Sequence, residues 1–413
     1  GLRLWSREGT SGVLRLLVTG LRSLPGVPTV VSLVLDGEVK GAMKLLAGED
    51  AGGSGAAAAS LAIPKVGEAP EKVLEELRQA KKEQVDKVHG KIFAYLYERG
   101  EDHEKLLRSA RELFAEPVEA AEKMHDEFTK RAHAYFANDN ALNPNVFPAL
   151  RRFEVETCAM AASMLNGDGN CVGSLTSGGT ESIIMALKTY RDMARAKTPW
   201  VKNPEVVACQ TVHPAFEKAA HYFDLKMVHV PCDADLRMDV AAVQRAITRD
   251  TILVVGSAPQ YCHGVVDPIE ELSELTLAKG IPLHVDACFG GYMLPWVEKA
   301  GFPVPTWDFR VPGVMSISAD LHKYGFGPKG SSTLLYRSKD IRRYQYFAYA
   351  DFPGGIFGSP SMAGTRPGGT IAAAWACLKT VGQDGYVASA KELMQVTKTM
   401  REGISATAPL YVL

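Results

Sequence analysis

The sequence lacks a cysteine framework. Its seven cysteines, Cys158, Cys171, Cys209, Cys232, Cys262, Cys288 and Cys377, form no C-x-x-C pair and are odd in number. That argues against a zinc site and against a disulfide scaffold. Most lie in apolar stretches and read as buried, reduced thiols, the usage of a cytosol-facing compartment. No apolar run has the length of a membrane span: the best, Val27 to Leu35, is too short. No secretory leader is recognisable. The chain opens on Gly1 rather than Met, which leaves room for a membrane anchor upstream of residue 1. Nor is one sign of charge in excess. The formal net charge of −1 argues against a nucleic-acid partner held by a large basic surface.

What is present suits a large globular enzyme. The 413 residues, 46% of them hydrophobic, allow one catalytic domain with smaller attached pieces. Residues 1–45 read as short helices joined by Pro25 and Pro28, and Gly48 to Ser60 as a Gly/Ala/Ser-rich linker or loop. Ala69 to His89 has helical spacing, Glu104 to Phe136 is a second helical region broken near Pro117, and Asn138 to Pro148 is a polar loop. From Phe153 the pattern changes to helices alternating with short β-branched runs. The runs are Glu205–Cys209, Met227–Pro231, Ile252–Val255, Leu283–Val285, Val314–Ile317 and Thr333–Tyr336, with helices such as Val240–Ile247 and Ile269–Ala278 between them. Such alternation predicts an α/β domain with a largely parallel sheet, whose ligands sit at the carboxyl ends of the strands. After Gly385 a helix, Val387 to Ile404, and a short apolar end, Tyr411–Leu413, remain.

Four constellations follow one another in the order of a pyridoxal phosphate (PLP) enzyme of the aspartate-aminotransferase fold type. Thr176-Ser177-Gly178-Gly179-Thr180-Glu181-Ser182 precedes an apolar-periodic helix. Small residues let the backbone approach an anion at a helix N-terminus, which suits the cofactor phosphate. The plain alternative is a Gly-rich turn with Thr180 as N-cap; no Gly-Lys-Ser/Thr follows, so it is not a P-loop. His284-Val285-Asp286-Ala287 ends a buried strand. A carboxylate there can pair with the pyridine nitrogen and keep it protonated, or simply cap the next turn. Ser316 to Gly325 places Lys323 beside His322 just past a strand. Burial and nearby positive charge are expected to lower its amine pKa, as a Schiff-base lysine needs; the alternative is a surface lysine. His213 follows the Val206–Cys209 strand and can stack on a cofactor ring or start a helix.

On these residues the sequence resembles the sphingosine-1-phosphate lyase family. The resemblance rests on Ser318–Gly330, Thr176–Ser182, Pro259–Pro268, His284–Gly291 and Ala363–Gly369, and runs from about residue 85 to 400. It implies the PLP-dependent transferase fold (type I), with a mostly parallel seven-stranded sheet flanked by helices. Residues 1–137 would be a helical N-terminal region, 138–385 the PLP-binding domain, and 386–413 the start of a largely missing C-terminal small domain. The activity implied is retro-aldol cleavage of the C2–C3 bond of phosphorylated long-chain bases, giving phosphoethanolamine and a long-chain aldehyde. Lys323 would carry the cofactor, Asp286 pair with its nitrogen, and His213 stack on the ring beside Ala287. Gly179, Thr180 and His322 would bind its phosphate, with Thr365 of a partner subunit. Tyr261, also in trans, and Lys329 would face the reacting end of the substrate. Asn140, Asn143, Lys329 and Tyr97 would form the substrate-phosphate site. A homodimer with shared active sites is implied, at the cytosolic face of the endoplasmic reticulum membrane or, as in soluble members, in the cytoplasm.

Three departures stand out. Asn143 occupies a position where the family often has His, Phe357 one where Tyr is common, and the stretch between Tyr97 and Asn140 is longer than usual. The rival readings are an amino-acid decarboxylase of the same fold and a non-catalytic scaffold. Lys329 favours the lyase, since a phosphomonoester needs cationic donors and a decarboxylase does not.

Overall fold

The computed structural model describes residues 61–82 and 121–407. The expected N-terminal helices, the linker, Tyr97 and the apolar end fall outside these. The chain divides into two compact units, Gly1–Gly52 with Tyr346–Pro360, and Gly53–Gln345 with Ser361–Leu413. In the first, the described part is an antiparallel hairpin of β8 (Phe347–Tyr349) and β9 (Phe357–Ser359). Phe357 pairs there with Tyr349, its ring 6.3 Å from that of Phe347.

The second unit holds a seven-stranded sheet. Its strands are β1 (Val172–Thr176), β2 (Glu205–Cys209), β3 (Lys226–Val230), β4 (Thr251–Ser257), β5 (Leu283–Asp286), β6 (Val314–Ala319) and β7 (Ser332–Tyr336), in the order β1-β7-β6-β5-β4-β2-β3. Every pairing is parallel except those of β7, which runs against both β1 and β6. The strands other than β7 therefore all end at one edge. Apart from the edge strand β3, the sheet is buried on both faces, its side chains alternating with period 2. On β2, Val207 and Cys209 join one hydrophobic cluster, while Val206 and Ala208 join the other. Two helices, α4 (Gly179–Lys197) and α5 (Ala215–Phe223), supply the second cluster.

The first and larger cluster is closed by helices from distant parts of the chain. These include α1 (Pro70–Lys82), α2 (Ala121–Phe136), α3 (Pro148–Met164) and α10 (Gly368–Ser405). The shorter helices α6 (Val240–Ala246), α7 (Ile269–Lys279), α8 (Leu294–Lys299) and α9 (Lys339–Arg342) lie between the later strands. Helix α10 begins well before the expected Val387 and runs across residue 385. It bends at Gly382, whose φ of 65° and contact with the Gly67 backbone leave no room for a Cβ. The bend frees the N–H groups of Gln383 and Asp384, which donate to the carbonyls of Pro64 and Lys65.

At the centre of this packing, the buried ring of Phe153 meets Phe136 edge-on at 5.5 Å and Trp375 at 4.5 Å. Phe153→Ala is expected to lower stability by about 3–5 kcal/mol, the cost of a large-to-small change in a packed core. Urea unfolding followed by far-UV circular dichroism measures it, and a loss below ~1 kcal/mol would mean that α2, α3 and α10 do not share this core.

Candidate active site

The site is built at the edge where β1, β5 and β6 end, with the start of β7 between β1 and β6. β5 and β6 pair in parallel with Asp286 opposite Ser318. Beyond them Ala287 N–H donates to Ser318 O and Asp320 N–H to Cys288 O, so the pairing continues past both strand ends. Asp286 is buried, and its Oδ1 accepts from Cys288 N–H at 3.0 Å and Ser318 Oγ–H at 3.1 Å. Ala287, fully buried, follows directly.

Lys323 lies in the turn after β6, with Nζ donating to Asp320 Oδ2 at 2.9 Å. Burial pulls the amine pKa down. The Asp320 carboxylate, as charge and as acceptor, outweighs it with help from Asp286, and the amine lies above the ordinary lysine value. The expected depression is therefore corrected: the neighbour that decides is an acid three residues back, not the imidazole of His322. That imidazole donates from Nδ1 to Ser331 O at 2.8 Å, leaving Nε2 3.8 Å from Asp320 Oδ2.

The glycine turn sits against this lysine turn. Helix α4 has Gly178 at its cap position, with φ 143°, so Thr180 is not the N-cap but an exposed residue of the first turn. A Cβ on Gly179 would lie 2.5 Å from Asp320 Oδ2 and 2.9 Å from Cys288 Sγ. Only glycine lets the helix start come this close. Hydroxyls tie the parts together: Thr176 Oγ1 meets Ser182 Oγ at 2.7 Å, Ser182 meets Ser332 Oγ at 2.8 Å, and Ser332 donates to Ala319 O.

An open pocket of about 400 Å³ adjoins the turn, lined by Thr176, Ser177, Glu181, Gly330, Ala363 and Thr365. Thr365 of the same chain thus lies beside the glycine turn. Glu181 accepts from Ser177 N–H and Met362 N–H, fixing the turn to the 361–367 segment. Asn140 clamps that segment from the other side: Oδ1 accepts from Arg366 N–H, and Nδ2 lies 3.5 Å from Thr365 Oγ1. Asn143 is exposed, and its Oδ1 accepts from Val146 N–H within its own loop. Lys329, exposed, donates from Nζ to His322 O at 3.2 Å. Tyr261 is 75% exposed, in edge contact with Phe289, which in turn packs edge-on with Tyr324. His213 is exposed after β2, and its Nδ1 accepts from Ala215 N–H at the start of α5.

Sequence reading assigned no role to Asp320 or to the Glu154–Arg366 pair. Asp320 carried a signal, an acid three residues before the lysine in a turn. The Glu154–Arg366 pair had none, because its members are far apart in the chain. Its guanidinium is bidentate on Glu154 and also donates to Leu175 O, while Glu154 accepts from Leu175 N–H.

A buried carboxylate at the end of β5, a lysine behind β6 and a glycine-lined helix start between them define the class of a pyridoxal-dependent enzyme. A profile described as "Pyridoxal-dependent decarboxylase conserved domain" matches residues 96–413. Sphingosine-1-phosphate lyase 1 of Rattus norvegicus is 46% identical over 297 residues, 72% of this chain and 52% of that protein. The sphingosine-1-phosphate lyase of Saccharomyces cerevisiae is 41% identical over 282 residues, 67% of this chain and 48% of that protein. The solved sphingosine-1-phosphate lyase of Burkholderia pseudomallei K96243 superposes with a TM-score of 0.68 at 39% identity, covering 77% of each chain. The chain belongs to the pyridoxal-dependent decarboxylase family and, within it, to the sphingosine-1-phosphate lyases. It spans about half the length of the curated relatives it matches. Glutamate decarboxylase of Lactobacillus brevis, 20% identical with a TM-score of 0.60, shares the fold.

The residues present fit the family's cofactor, pyridoxal phosphate. Asp320 Oδ1 is buried with no hydrogen-bond partner among the described residues, so this corner has polar capacity that the protein's own groups leave unused. The glycine cradle beside it would be filled by any larger residue.

The Glu154–Arg366 pair carries a prediction. Burial pushes Glu154 up, Arg366 and Arg342 pull it down further, and its pKa lies below the ordinary 4.5. A depressed acid contributes stability above its ordinary pKa that is lost as pH falls through it. The pair's contribution should therefore fade below about pH 4.5. At neutral pH Arg366→Met strands a buried carboxylate and is expected to cost about 3–5 kcal/mol. Adding Glu154→Gln should recover part of this, and a double variant no better than Arg366→Met in urea unfolding would refute the coupling.

Proposed function

We propose that the chain is the catalytic part of a PLP-dependent carbon–carbon lyase. Its substrate is a phosphorylated sphingoid base such as sphingosine 1-phosphate, and its products are phosphoethanolamine and a long-chain aldehyde. The observation that carries this reading is the Ser318–Gly330 lysine segment folded against Asp286 and the glycine turn, in a chain 39% identical to a solved lyase of that name. When bound, the pyridoxal ring accepts the electron pair left on C2 as the C2–C3 bond breaks.

The chain's own residues have distinct tasks. Lys323 would hold the cofactor through its amine. The lysine must first lose a proton, and Asp320 Oδ2, 2.9 Å away, is the acceptor in reach. Asp286, beside Ala287, would pair with the pyridine nitrogen, and His213 would stack on the ring. First-turn N–H groups at Gly179 and Thr180, with His322 and Thr365, take the cofactor phosphate. Lys329, Asn140 and Asn143 bind the substrate phosphate, with Tyr97. The proton of the C3 hydroxyl leaves to Tyr261, Lys329, water or the substrate phosphate.

The functional unit is a homodimer. Tyr261 stands out from the surface, as a residue completing a neighbour's site must. A substrate with a long apolar tail comes from a membrane, and the cytosolic face of the endoplasmic reticulum suits that supply. Among the described residues no helix is long and apolar enough to cross a membrane.

The test is the visible absorption spectrum of the protein with PLP, for the wild type and Lys323→Ala, followed by addition of sphingosine 1-phosphate. A cofactor band that depends on Lys323, with release of a long-chain aldehyde, is expected. A band without aldehyde would reject this substrate in favour of a decarboxylase-type one, and no band would reject the enzyme. Sedimentation equilibrium at micromolar concentration should give twice the chain mass; a monomer would refute action of Tyr261 in trans.

A further inference from the structure

Behind Asp286 lies a line of buried polar groups that the proposed chemistry has not used. Ser318 Oγ is 3.1 Å from Asp286 Oδ1, His284 Nε2 is 3.3 Å from Ser318 Oγ, Ser316 Oγ is 2.8 Å from His284 Nδ1, and Tyr190 OH is 2.6 Å from Ser316 Oγ. Tyr190, Ser316, His284 and Ser318 are all fully buried. The line begins on α4, crosses β6 and β5, and ends at the carboxylate.

Counting hydrogens fixes its direction. A carboxylate only accepts, so Ser318 donates to Asp286. Having spent its one hydrogen, Ser318 accepts from His284, which places the ring proton on Nε2. Nδ1 then accepts from Ser316, and Ser316 accepts from Tyr190. Every hydrogen points toward Asp286. Burial, against the pull of Asp286, pushes the His284 pKa down to about 4, so at neutral pH the ring is uncharged and can donate from one nitrogen only.

We propose that His284 is a positioning residue for the cofactor. Acting through Ser318, it holds Asp286 as an oriented anion and so keeps the pyridine nitrogen of bound PLP protonated. The inference rests on the PLP reading of the site. Its physical basis is that donors aligned on one oxygen hold a buried carboxylate in a single orientation. The strand register enforces the alignment, since Ser316 and Ser318 stand opposite His284 and Asp286 on the neighbouring strand.

The experiment is ¹⁵N NMR of the full chain loaded with PLP labelled at the pyridine nitrogen, at neutral pH. The wild type should show the protonated shift. Ser318→Ala should move it toward the unprotonated value and weaken PLP binding on the order of tenfold, the worth of one hydrogen bond to a charged group. Ser318→Thr keeps the hydroxyl and should restore both. A hydroxyl serving only to stabilise the fold would change the melting temperature and leave the nitrogen shift alone, so a folded Ser318→Ala with the wild-type shift and affinity overturns the inference. A second measurement needs no variant: in the PLP-free wild type, ring-labelled His284 should carry its proton on Nε2, and a proton on Nδ1 overturns the relay even if Ser318→Ala fails to fold. Both outcomes leave the cofactor reading standing. A wild-type chain that takes up no PLP rejects that reading itself.

Discussion

The parallel pairing of β5 with β6 is the constraint on which the site depends. Asp286 stands opposite Ser318, and the pairing continues through Ala287 and Cys288 to Asp320. A slip of one residue would turn Asp286 toward the other face of the sheet, and with it His284. The register is protected because both strands are buried on both faces, so a slip would also put core residues such as Val285 and Ile317 out of place. Everything chemical then follows from what the next few residues carry: an acid, a thiol and a lysine held at one edge.

That edge concentrates negative charge where burial makes it costly. Asp286 and Asp320 are both buried, and between them the Cys288 thiol is pushed well above its ordinary pKa, first by burial and then by the two carboxylates. Cys288 is therefore a neutral spacer, not a nucleophile. The local charge is offset by one lysine, held by Asp320, and by donors aimed at Asp286. Under the proposed function such a corner would gain when the cationic ring nitrogen pairs with Asp286. A site with an unused acceptor on Asp320 and an acid already desolvated has met the cost of burial in folding, so the cofactor meets groups already in place.

The sequence made the central strands legible because β2, β4, β5, β6 and β7 are short runs rich in apolar and β-branched residues, the signature of a sheet covered on both sides, even where polar residues such as His284 and Ser316 interrupt them. It concealed β1, since Val172–Thr176 reads Val-Gly-Ser-Leu-Thr and its Gly and Ser resemble a turn. In the folded chain Gly173 is there because Leu334 and Leu335 come too close for a Cβ. The first half of α10 was hidden for a related reason. Its glycines at 368, 369, 382 and 385 look like punctuation, but three of the four serve close helix packing or a contained bend. The positions of Lys323, Asp286 and the glycine turn were readable from local strings. The sign of the lysine's pKa shift was not, because it depends on which of two adjacent groups, His322 or Asp320, the turn aims at the amine.

The site also divides by exposure. Asp286, Ala287 and Asp320 are buried along the β5–β6 pairing, and Gly179 is buried against it. Tyr261, Lys323, Lys329, Thr180, Thr365 and His213 are exposed. The exposed groups are not free of the scaffold: Lys329 is tied to His322 O and His213 to Ala215 N–H. Both bonds use one end of a longer side chain at a solvent-facing position, where water can replace them at little cost. The buried half can therefore be rigid enough to hold Asp286 in one orientation. The exposed half keeps the freedom to exchange those weak ties for other partners, which under the proposed function would be a doubly charged phosphate and a neighbouring subunit.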